Sequence, residues 1–514
     1  MKKGIFVYLA VLLAFGLAFD TFAEAAPQGT LRIAQADFSY ESMDPIVFES
    51  FWGWAMYDPL CTYDVQGNVI GAVAESWTLS PDGKTWTFKI RKGMKFHNGD
   101  PVTSADVAFS VTRFASKEST NPWSPYLRNN FNSVETPDDY TFIYKSNKPE
   151  PQLIVPFAWT RILPKNYIEK NGVEYFRKHP VGSGPYKFVK HVPETSMEFE
   201  ANTEHWRVTP AFEKVIELQY PEEATRIALL ERGEVDLIGD LSYDRIVELR
   251  DKGYRLQAFG LPTLANISFP GTWMTDRPTK DIRVRKAMSY AINRQEICDT
   301  FFKGLAKPGG MWFMDEHTWG WDPSWKADPY DPEKALALLQ EAGYPAKFKQ
   351  QTIPLYHAPT GITPDLMQIL QAYWAEVGVR VDIKVVDNVE LGGLIFVRQK
   401  DASSPIVGGI WPWVFGGAFN NVYHSANMFT SHGVHTTGND PKADELYARA
   451  TNELDPVKAK QYWTEFMAYA KEMYVNVGLV SVPDYWIMGP EVGKVTDKAY
   501  LSIWDAYANI QHKE

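Results

Sequence analysis

Only two cysteines, Cys61 and Cys298, occur in a chain of 514 residues. They stand 237 positions apart, so a disulfide between them is possible but nothing in the sequence supports it, and both are expected to serve as small buried hydrophobes. Neither stands near the end of the N-terminal apolar segment, which argues against a lipid-modified cysteine there. Basic runs are missing too. Acidic residues outnumber basic ones by 63 to 52, for a net charge of -11, and no Lys/Arg block forms a stripe able to follow a phosphate backbone. Nucleic acid is therefore not an expected partner. Long hydrophobic runs are confined to Gly4 to Phe19, which is shorter than the roughly 20 residues a membrane-spanning helix needs. Lys2 and Lys3 precede this run and Ala23-Glu24-Ala25 follows it, the three-part layout of a secretory signal cut near Ala25.

Catalytic signatures are equally scarce. Gly83-Lys84-Thr85 lacks the glycine that a phosphate loop requires five positions earlier, since position 78 is Thr78. Gly182-Ser183-Gly184 does not have the spacing of a nucleophile elbow. No Ser, His and Asp set stands out, and an enzyme is not expected. His424, His432 and His435 have no cysteine partner, no His-Glu-x-x-His helix and no tight carboxylate cluster beside them, so no metal site and no cofactor are expected. Tandem repeats and low-complexity linkers are absent.

What is present is the balance of a globular protein, 45% hydrophobic and 22% charged, long enough for two to three domains. Thr85 to Arg91 alternates, with Trp86, Phe88 and Ile90 on one side, as a half-buried strand requires. Thr103 and Asp106 make a capping-box pattern before a helix whose inner face holds Val107, Val111 and Phe114. Val284, Met288, Ala291 and Ile292 share a stripe, and Asn293 with Glu296 marks the cap of a following helix. Asp331-Pro332-Glu333 opens a further helix that Gly343 closes. Pro364 to Val377 forms a helix, and Val379 to Val385 then alternates as a strand. Lys442 to Met473 is helical with a break at Asp455-Pro456, and Val475 to Val482 is apolar and extended.

Six blocks, Ala74 to Trp77, Ser80 to Phe88, Arg91 to Gly99, Val181 to Phe188, Leu229 to Asp236 and Asp281 to Arg294, occur in this order along the chain. Together they resemble the family 5 solute-binding proteins of ATP-binding-cassette importers, which include dipeptide-, oligopeptide- and nickel-binding proteins. The resemblance implies an α/β, two-lobed periplasmic binding protein of type II, with an extra subdomain in lobe I and a ligand cleft between the lobes. After a signal at 1–25, lobe I is expected over 26–262 with the subdomain at roughly 60–170, and lobe II over 263–480. Residues 481–514 are expected to return to lobe I, with hinges near Leu261 to Ala265 and Gly478 to Val482. The implied partners are a small organic solute and an inner-membrane permease, reached by a monomer in the periplasm. A sensory receptor for the same kind of solute is the alternative.

Peptide-binding members carry a loop in which an aspartate pairs with the ligand ammonium. The corresponding segment here, Gly408 to Asn420, holds no carboxylate, which argues against ordinary free-amine peptides because an unpartnered buried ammonium is costly. Aromatic groups replace it: Trp411, Trp413, Phe415 and Phe419, with Asn420 and Tyr423 close behind. Such rings suit stacking on a ring-bearing or apolar body. Tyr356 and His357, at the end of a strand, and Tyr40, in the turn after the first strand, complete the expected ligand contacts.

Overall fold

The computed structural model describes residues 26–38, 41–47, 53–64, 68–121, 123–312, 314, 316, 318–358, 364–397, 401–415, 429–431, 439–495 and 507–513. The expected signal segment lies outside these.

Two strands distant in sequence, Arg255–Ser268 and Asn476–Met488, pair antiparallel along nearly their whole length. They anchor one end of a nine-stranded sheet, whose short strand Lys307–Pro308 pairs with Asn476–Met488 off the main path. From Trp411–Phe415 at the edge, the order continues through these two strands to Leu237–Ile238 and Thr30–Gln35, then to Lys214–Gln219, Ser196–Ala201 and Tyr186–Val192. Thr30–Gln35 pairs in parallel with both of its neighbours, whereas the other pairings are antiparallel.

The paired strands serve different hydrophobic cores along their length. Phe259, Trp486 and Met488 pack with Leu31, Ile33 and Phe199. Ala265, Ile267, Val477 and Leu479 pack instead with Met288, Leu370 and Trp374. Between these stretches the ladder breaks: Phe259 pairs with Asp484 and Thr263 with Val482, so the segment 260–262 faces Pro483 alone. The sequence-based hinge segments, Leu261 to Ala265 and Gly478 to Val482, lie on these two strands.

A separate four-stranded antiparallel sheet joins Ala74–Leu79, Thr85–Ile90, Thr141–Ser146 and Phe131–Asp138 in that order. Trp86, Phe88 and Ile90 are buried, as their alternation requires. The helix Ser104–Ala115 covers this sheet's core with Val107, Val111 and Phe114. The Asp106 carboxylate accepts from the Thr103 amide at 2.9 Å and from its hydroxyl at 2.7 Å, closing the first turn. Cys61 is buried in this core and Cys298 in the one around Met288; both thiols are free, and burial pushes Cys298 up to about 12.

Gly182 shows why part of a resemblance block is structural. A Cβ there would sit 2.0 Å from the Met56 carbonyl oxygen, so only glycine allows the two chains to approach. The helix Pro332–Ala342 is capped by Asp331 and ends at Gly343, which adopts φ +78. The helix Pro364–Glu376 feeds the strand Arg380–Val385, which pairs in parallel with Thr352–His357. The helices Pro441–Asn452 and Pro456–Glu472 pack on Trp312 and Phe429.

Candidate functional site

The aromatic segment expected as a loop is in part a strand. Trp411–Phe415 adds to the edge of Arg255–Ser268, with Trp413 opposite Asn266 and Trp411 opposite Ser268. Directly opposed residues, and residues two apart on one strand, share a face of a sheet. Trp411, Trp413, Asn266 and Ser268 therefore lie on one face. The two indoles stack with centroids 4.0 Å apart and planes inclined by 28°.

Their burial differs. Trp411 is 5% exposed and packs with Leu394, Ile395 and Ile406. Trp413 is half-buried and touches both that cluster and the one around Trp312 and Trp463. Tyr356 is half-buried against the same Leu394 cluster, so the structure brings Tyr356, Trp411 and Trp413 together. His357 is buried, with Nδ1 2.8 Å from the Ala358 carbonyl oxygen. With Nδ1 donating, Nε2 is left as an acceptor and finds no partner among the described residues. Only the backbone of Phe415 is described, opposite Leu264. Tyr40, Phe419, Asn420, Tyr423, His424, His432 and His435 lie outside the described residues.

Polar residues on this face escaped the sequence reading. Ser268 Oγ donates to Asn476 Oδ1 in a buried pair. Asn266 Nδ2 donates to the Leu264 carbonyl at 3.0 Å, while its buried Oδ1 has no partner among the described residues. The signal was available as Asn266 and Ser268 at period two inside an otherwise apolar strand.

On the opposite face a cavity of about 270 Å³ spans the ladder break. Tyr243, Phe301, Phe302 and Val414 wall it, and Asp240 and Asp484 give it two carboxylates. Crowding by protein pushes the Asp484 carboxyl up to about 6. The charge of Asp240 adds to this, and a 3.2 Å hydrogen bond from the Trp486 indole opposes it. Asp240 is also raised by its surroundings, against the pull of the Ala36 amide at 2.8 Å and of Arg226. Both residues reach solvent, which screens these effects. Among the described residues no group of three or more His, Cys, Asp or Glu is placed to hold a metal ion, and no helix is long and apolar enough to cross a membrane.

Residues 68–441 match the family model of the bacterial extracellular solute-binding proteins, family 5 Middle, and the chain belongs to this family. It is similar to a putative ABC transporter peptide-binding protein of Brucella ovis, at 28% identity over 72% of this chain and 69% of the relative. It is also similar to the dipeptide-binding protein of Escherichia coli K12, at 26% identity over 77% and 78% of the two chains. A crystal structure of NikA from Brucella suis, in complex with Fe(III)-EDTA, superposes with a TM-score of 0.81 at 22% identity, covering 95% of this chain and all of the other. That likeness shows the two-lobed periplasmic binding protein fold with its cleft between lobes. The family consists of solute-binding proteins rather than enzymes. Within it, this chain is the binding component of an ATP-binding-cassette importer, which captures a small solute and delivers it to a membrane permease.

Proposed function

We propose that the protein closes two lobes over a small organic solute with an apolar or ring-bearing body, and that Trp413 stacks against that body. In this reading residues 26–262 and 481–514 form one lobe and 263–480 the other. The separate cores served by the two long strands support this division. A guest touching both lobes stabilises the closed form through contacts it lacks in the open one, and closure then reports occupancy to the permease.

The observation that carries the reading is the stacked Trp411 and Trp413 pair on a strand bonded directly to Arg255–Ser268. Trp411 is sealed in its cluster and sets the plane, while half-buried Trp413 offers the remaining ring surface. The absence of a carboxylate from Gly408 to Asn420 supports a guest other than an ordinary free-amine peptide. Export through residues 1–25 would place a monomer without a lipid anchor in the periplasm.

The test is mass spectrometry of whatever co-purifies with the mature protein, followed by calorimetric titration of the identified compound into wild type and Trp413→Ala. A ring-bearing or apolar guest and a loss of affinity of at least tenfold are expected. Unchanged affinity in a folded Trp413→Ala protein would reject this site.

A further inference from the structure

Leu454 lies in the turn between the helices Pro441–Asn452 and Pro456–Glu472, and its side chain is 40% exposed. It meets a part of the molecule remote in sequence. A Cβ built on Gly83 would come within 2.9 Å of Leu454 Cδ2 and 3.0 Å of Pro149 Cβ, so the leucine tip occupies room that the glycine leaves open. Gly83 belongs to the turn between Ala74–Leu79 and Thr85–Ile90, and adopts φ +70.

Both sides of this contact are held firmly. The Gly83 amide donates to the Ser80 carbonyl at 2.8 Å, and the Glu150 amide donates to the Gly83 carbonyl at 2.9 Å. The Trp86 indole donates to the Glu150 carbonyl at 3.1 Å, which ties the seat to the four-stranded sheet. Opposite, Asp455 Oδ1 accepts from the Val457 and Lys458 amides at 2.9 and 3.2 Å, and the Asp455 amide donates to Glu453 Oε1 at 2.9 Å. Leu454 is thus presented by a capped helix start, not by a loose loop. Tyr126 makes a second bridge, since it packs at once on the core of the four-stranded sheet and on the cluster around Trp312 and Trp463. Neither bridge uses a residue of the two long paired strands.

We propose that Leu454, seated on Gly83 and Pro149, and Tyr126 form an apolar latch that joins the four-stranded subdomain to the helical pair and biases the two lobes towards closure before any guest arrives. The latch rests on the capture reading only in requiring lobes that open. Its contacts are partly exposed, so parting them re-exposes parts of Leu454, Tyr126 and Pro149 rather than a closed core. A bias of this size leaves the guest in control while raising its apparent affinity by increasing the closed fraction.

The test uses the full mature chain, stripped of guest by dialysis, with spin labels at Val189→Cys and Val389→Cys, two exposed positions on either side. Native Cys61 and Cys298 are buried and stay unlabelled. Pulsed electron-spin distances should show the closed population of the guest-free protein falling about fivefold in Leu454→Asp, with wild-type behaviour kept in Leu454→Met. Gly83→Ala should act in the same direction as Leu454→Asp. Circular dichroism and thermal melting confirm that each variant is folded. Identical distance distributions in wild type and Leu454→Asp, in a protein whose distance does change with the co-purified guest, overturn the latch and leave the capture reading standing. A distance that changes with neither guest nor variant overturns both.

Discussion

Trp411 and Trp413 stack at 4.0 Å although they are unequal in burial, one sealed in a hydrophobic cluster and the other half open. Truncating them should therefore have different effects. Trp411→Ala empties a core site and should cost about 3–5 kcal/mol of stability. Trp413→Ala should cost less stability and more guest affinity. Chemical denaturation beside calorimetry separates the two, and equal stability losses would contradict the assignment.

Glu150 gives a pH dependence with a definite sign. It is 6% exposed, and burial pushes its carboxyl up to about 7, against the pull of Lys148 at 3.8 Å. The folded protein therefore holds a proton that the unfolded chain releases in the ordinary carboxylate range. This contribution is fully present at acidic pH and is lost as pH rises through about 7. Glu150→Gln, which keeps the side-chain shape, should gain stability relative to wild type between pH 5 and pH 8, by on the order of 1–3 kcal/mol. A pH-independent difference in urea denaturation would count against it.

Gly182→Ala should be severe, since the new methyl would lie 2.0 Å from the Met56 carbonyl oxygen and main chain must move. A loss of about 3 kcal/mol or more is expected. Gly99→Ala is the control: nothing lies within 4 Å of its Cβ, so only the φ of +89 is penalised, at about 1–2 kcal/mol. Similar melting temperatures for the two variants would refute the close-approach argument.

Asp484 should titrate above the ordinary carboxylate range, with solvent screening keeping its midpoint below about 6, when followed by carboxyl carbon resonances. Because the charge of Asp240 contributes to that elevation, Asp240→Asn should lower the midpoint. A midpoint that stays in place or rises would show that the two carboxylates do not sense each other.

Much of the local structure was legible because it follows from periodicity and caps. Thr85–Ile90, the capped helix Ser104–Ala115, Pro332–Ala342 between Asp331 and Gly343, and the helix-to-strand unit ending at Arg380–Val385 all lie where the sequence patterns place them. The aromatic segment was harder. Trp411 to Phe415 is flanked by glycines and contains Pro412, so it resembles a loop, and its strand character comes from pairing with residues 264–268. Burial of Trp411 likewise depends on Leu394, Ile395 and Ile406, which no local pattern brings to it. Asn266 and Ser268 were hidden for the same reason: which face of a strand meets a site is decided by its neighbours in the sheet.

The ladder break between Phe259 and Thr263 has a mechanical consequence. Pro262 and Pro483 stand within it, and a proline has no N–H to contribute to a ladder. If the two lobes of the proposed reading move about this point, the paired stretches on either side of it, 255–259 with 484–488 and 263–268 with 476–482, can stay intact, as paper folds along a scored line.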